Sequence, residues 1–156
     1  MSTEGTTELV EHLHAAHHRV VTALEDISES ELYTPPMPGE WTVAEVCAHV
    51  IEMQMLWLRK ISKSTRDPDL KRSEAEVERR TALIEAHARD DIGTIRRRLD
   101  EANNWSVGIL RGIGSATLDT ETTRGTAREA IHSLVIKHLS EHAEQIGVIR
   151  VALQSR

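Results

Sequence analysis

Phenylalanine is absent from the 156 residues, and the chain has one Tyr, one Cys and four Pro. Without the alternation of β-branched and aromatic residues that marks strands, the pattern favours helices throughout. The core must then come from Leu, Ile, Val, Ala, Met and the three Trp. A lone Cys47 cannot close an internal disulfide, and the N-terminal stretch MSTEGTTELV lacks the basic and apolar blocks of a signal peptide, so the expected address is the cytoplasm. No apolar run approaches the roughly 18 residues needed to cross a bilayer, which argues against a membrane role. Excess positive charge is missing too: 19 Lys and Arg stand against 25 Asp and Glu, a net charge of −6 that repels phosphate backbones and disfavours a nucleic-acid partner. The length suits one domain over residues 1–156 with a continuous core.

What is present reads as four amphipathic segments. The first runs from Leu9 to about Ile27, with Val10, His14, His17, Val21 and Leu24 on one face. Pro35, Pro36, Pro38 and Gly39 then enforce a loop. Thr42 and Glu45 form a capping-box signature that opens a second helix to about Ile61. From Ser62 to Glu78, around Asp67-Pro68-Asp69, the composition is almost wholly polar and predicts a long exposed connection with room for a short helical turn. Ile84, Ala88, Ile92, Ile95, Leu99 and Ala102 predict one third helix to about Ile109. After Gly112, Gly114 and a Thr-rich run, Thr126 and Glu129 cap a fourth helix from Ala127 to about Leu153. The fold class expected is an all-α four-helix bundle with a long connection between its second and third helices.

On the fourth helix, Ile131, Val135, His138, His142, Gln145 and Ile149 recur four and three apart, which predicts both histidines in the middle of the buried stripe. Side chains four apart lie one turn above each other, so H-x-x-x-H brings two imidazoles to one point. His49 sits beside the apolar stripe Val46, Val50 and Met53 of the well-capped second helix and adds a third nitrogen from a facing element. Three core histidines satisfied by private hydrogen bonds would need several acceptors inside an apolar core, which is the costlier arrangement. The expectation is therefore one divalent ion on His49, His138 and His142 with a coordination position left open. Imidazole accepts zinc and nickel alike, and the pattern does not choose between them.

The segments PGEWTVAEVCAHVIEMQ and IKHLSEHAEQIGVI resemble the two signature segments of the DinB-like family. The resemblance implies a small four-helix bundle placing three histidines around a nickel or zinc ion, with His49, His138 and His142 at the matching positions. It extends to thiol-dependent transferases and isomerases, and so implies a low-molecular-weight thiol such as mycothiol or bacillithiol as a further cofactor. It also implies a homodimer.

Other residues carry weaker expectations. His12, His14, His17 and His18 cluster on the first helix; solvated or packed imidazoles are the reading there, with a second metal site or a place for His14 or His17 near the main site as alternatives. His87 and His132 read as structural. Glu52, one turn after His49, reads as a surface carboxylate or as an acid aimed at a metal-bound water. Glu141 and Glu144 are expected to point away from the histidine face. Gln145 shares that face and reads either as a group orienting an imidazole or as plain packing. Cys47 should be a buried thiol facing away, and Arg96, Arg97 and Arg98 a salt-bridged solvent face rather than a phosphate patch. Two functions follow: a metal-dependent enzyme acting on a small molecule, as a thiol transferase, isomerase or hydrolase, or a non-catalytic module whose ion knits helices together for ligand binding or dimerisation.

Overall fold

A computed structural model describes residues 2–63 and 69–156, with side chains from residue 5 onward. Four long helical elements make the bundle. They are α1 (Ser2–Ala23), α3 (Val43–Lys63), α5 (Ile92–Gly112) and a final rod built from α7 (Ala127–Ile131), a π-helical turn (His132–Ile136) and α8 (Lys137–Gln154). α1 packs on α5 and α8, and α3 packs on α5, α8 and the shorter α4 (Glu74–His87). Leu13, Leu24, Leu58, Ile95, Leu99 and Ile146 lie in one continuous apolar core. No helix among the described residues is long and apolar enough to cross a membrane.

The capping signals that open the second and fourth segments operate as expected. Thr42 Oγ1 accepts from Glu45 N at 3.2 Å while Thr42 N donates to Glu45 Oε1 at 3.2 Å. The same reciprocal pair joins Thr126 and Glu129. Gly125 precedes it at φ +87°, a backbone conformation that residues with a Cβ rarely adopt.

Five boundaries depart from the sequence expectation. α1 spans Ser2–Ala23 where the pattern predicts Leu9 to about Ile27. The Pro-containing loop holds a short helix, α2 (Glu29–Tyr33), capped by Ser28. The polar connection after α3 is shorter than its composition implies, because Ser73 and Glu76 form another capping box and start α4; Asp67 and Pro68 lie outside the described residues. α4 buries little beyond Ile84, so its periodicity is faint. The third segment is two helices, since the chain leaves α4 at Ala88 and Asp91 caps α5 through Thr94 N at 2.7 Å. The Thr-rich run holds α6 (Ser115–Leu118) and a two-residue hairpin, β1 (Glu121–Thr122) with β2 (Gly125–Thr126).

One side chain joins three elements. Arg150 of α8 donates to the carbonyls of Ala23 and Glu25 at 2.9 and 2.8 Å, supplying donors where α1 has run out of them, and pairs with Glu31 of α2 at 2.8 Å. That pairing, the largest of the influences on Glu31, holds its carboxyl down at about 2.

Candidate metal centre

The capped start of α3 carries His49 to the side of the bundle where α3 meets α8. His142 meets it edge-on, with ring centroids 4.9 Å apart and planes at 84°. His138 lies one turn before His142, its centroid 6.0 Å away. Trp41 packs on the other flank of His49 at 4.9 Å. Three imidazoles on one tetrahedral ion, each bonded at about 2.0–2.1 Å, would have centroids roughly 5 Å apart, so both spacings are of the right order. As the side chains stand, no three His, Cys, Asp or Glu among the described residues already form a coordinating group. His142 contacts both His49 and His138, and bringing all three onto one ion calls for side-chain adjustment.

His138 and His142 occupy the flank of the buried stripe, not its middle. The row passes through Ile131, Leu134 and Val135, then Leu139, Ala143, Ile146 and Ile149. In the π-helical turn the N–H of Lys137 reaches the carbonyl of His132, five residues back, and this wide turn delays the buried row by one residue. Both histidines thereby move to the edge, where the His138 side chain is 39 % exposed.

Hydrogen bonds set the ring nitrogens. His138 Nδ1 lies 3.0 Å from the carbonyl of Leu134, and His142 Nδ1 lies 2.8 Å from Gln145 Oε1. Each acceptor oxygen requires a proton on Nδ1, which leaves the Nε2 lone pair of both rings for a ligand bond. His49 Nδ1 is buried without a hydrogen bond, 3.7 Å from Glu52 Oε2. Burial, reinforced by the charges of His142, Arg72 and Arg80, pushes His49 down to about 3, and burial also lowers His142 against the opposing Gln145 bond. Both are neutral at physiological pH, the form that binds metal. Three imidazoles, two with tautomers preset and one with an orphaned buried polar atom, suit a borderline divalent ion.

Glu52 is neither a surface carboxylate nor an acid free to face water. Arg72, in the connection between α3 and α4, grips it with both guanidinium arms, Nη2 to Oε2 at 2.9 Å and Nη1 to Oε1, and the Glu52 and Arg72 side chains are only 8 % and 12 % exposed. Arg72 also lies over Trp57 at 5.4 Å. Sequence reasoning missed Arg72 because no periodicity links it to His49. Glu141 does not point away: its Oε2 comes within 4.0 Å of His138 Nε2, the two residues being three apart on one helix.

The remaining histidines disperse. His14 meets Asn103, His17 meets Asp100, His18 meets Thr22, and His12 stacks near His132 at 5.3 Å. His14 lines a separate cavity with Val10 and Arg111, so it takes no place at the main site. His87 pairs with Asp90 at 2.8 Å. Cys47 is buried, and burial pushes its thiol up to about 12, which leaves it inert. Arg97 pairs with Glu101 and Arg98 with Asp90, as the charge pattern predicts, whereas Arg96 donates to the carbonyl of Leu24.

Comparison with known proteins agrees with this architecture. No curated protein matches the chain. Among solved structures the fold is similar to that of YfiT from Bacillus subtilis, described as "a probable metal-dependent hydrolase with an unusual four-helix bundle topology". The TM-score is 0.72 at 19 % identity, covering 99 % of this chain and 90 % of that one. With the profile of the family matching residues 12–146, the chain belongs to the DinB superfamily.

Proposed function

We propose that this protein is a divalent-metal-dependent enzyme that acts on a small molecule, with His49, His138 and His142 as the metal ligands and hydrolysis as the reaction. The observation that carries this reading is the paired Nδ1 bonding of His138 and His142, which turns two Nε2 lone pairs over to a ligand beside His49. An ion bound there would supply a Lewis acid and acidify a bound water, or equally a bound thiol. Leu134 and Gln145 hold the tautomers, and Trp41 shields one face of His49.

Water is the first choice of nucleophile because the structurally similar YfiT is described as a probable hydrolase. A low-molecular-weight thiol is the second, through the superfamily's resemblance to thiol-dependent transferases and isomerases. The test is turnover of a panel of esters, amides and electrophiles by zinc- and nickel-loaded protein, with and without added thiol, beside His142→Ala. Metal-dependent turnover lost in the variant supports the enzyme, and acceleration by thiol selects the transferase. A fall in thermal stability in the variant with no turnover anywhere would make the ion a structural staple instead.

A further inference from the structure

Beside the histidines lies a groove that nothing above employs. The loop around Met37 and Gly39 and the last turns of α8 border an open groove of about 540 Å³, walled by Met37, Trp41, Val148, Ile149 and Ala152. Gly39 makes this possible, since its φ of +85° turns the loop back toward the helix. Met37 and Val148 are 61 % and 69 % exposed, so two large apolar side chains face water across the same space.

Two residues belong to the groove and to the histidine cluster at once. Trp41 forms a wall and packs on His49, and Gln145 forms another and bonds His142. At 1.5 Å per residue, Gln145 and Ile149 lie about 4.5 and 10 Å beyond His142 along the helix axis. Glu40 is the one ionisable side chain in the lining. An aryl or alkyl body would meet apolar walls there, with Glu40 and the Arg156 guanidinium, which donates to the Pro36 carbonyl, at the rim.

We infer that this groove is the substrate's apolar subsite: the protein takes small molecules whose aryl or alkyl body lies between Met37, Trp41 and Val148 while the reacting group reaches the histidines. The inference rests on the enzymatic reading above. A second copy of the chain is the rival occupant, and the continuity with Trp41 and Gln145 favours the substrate.

Binding of 2-naphthol to the full chain, by calorimetry with and without zinc, tests it. The wild type binds in both states. Val148→Asp, at an exposed position, weakens 2-naphthol by about tenfold or more, while Val77→Asp on α4 leaves it unchanged. No binding, equal binding by Val148→Asp, or a dimer that Val148→Asp dissolves would overturn the inference. Because binding is read without metal or turnover, its failure is distinguishable from failure of the turnover panel.

Discussion

Gln145 does for His142 what the Leu134 carbonyl does for His138: it fixes a proton on Nδ1 and turns Nε2 outward. Gln145→Ala is therefore expected to weaken metal binding by about 10–100-fold with little change in Tm, measured by competition with a chromophoric chelator. Arg72 is of a different kind. Arg72→Ala leaves the Glu52 carboxylate buried and unpaired, and chemical denaturation should show a loss of about 3–5 kcal/mol. Residue-scale legibility followed helix geometry. Gln145, the capping pairs and buried Cys47 sit at fixed offsets on one helix and can be read from the chain. Arg72 lies 20 residues from Glu52 across a connection, and only tertiary structure brings them together.

The long, strongly periodic elements were legible and the faint ones were not. α4 carries almost no apolar stripe, yet its capping box and its packing on α3 sustain it, as does Lys60, which reaches Glu76 at 2.6 Å. Ser73→Ala should cost about 1 kcal/mol in urea denaturation, a cap's usual contribution. The break between α4 and α5 was hidden because apolar spacing ran through it, and Asp91 is the one local signal that could have found it. The π-helical turn has no sequence signature, so the stripe was drawn one residue out of phase, with the histidines inside it. Their true place at the edge is the better one for an open site, because a ligand position in the middle of the stripe would be sealed from substrate.

Across the whole molecule, Arg150 locks the end of α1 and the short α2 onto the last helix. Glu31 titrates near 2 in the fold against 4.5 ordinarily, so its contribution is complete above about 4.5 and is lost as pH falls from there toward about 2. Acid titration followed by circular dichroism should show Arg150→Ala less stable at neutral pH and with a shallower loss over that window. The fold class was readable because four amphipathic segments with short or polar links have few other ways to bury their stripes.

The central claim is that three imidazoles from two helical elements hold one ion. Anomalous diffraction at the zinc and nickel edges, on crystals of protein shown by elemental analysis to be loaded, tests it most directly. A single peak within about 2.0–2.3 Å of the Nε2 atoms of His138 and His142 and of a ring nitrogen of His49 is the predicted result. A peak elsewhere, or one touching only two of these rings, would contradict it.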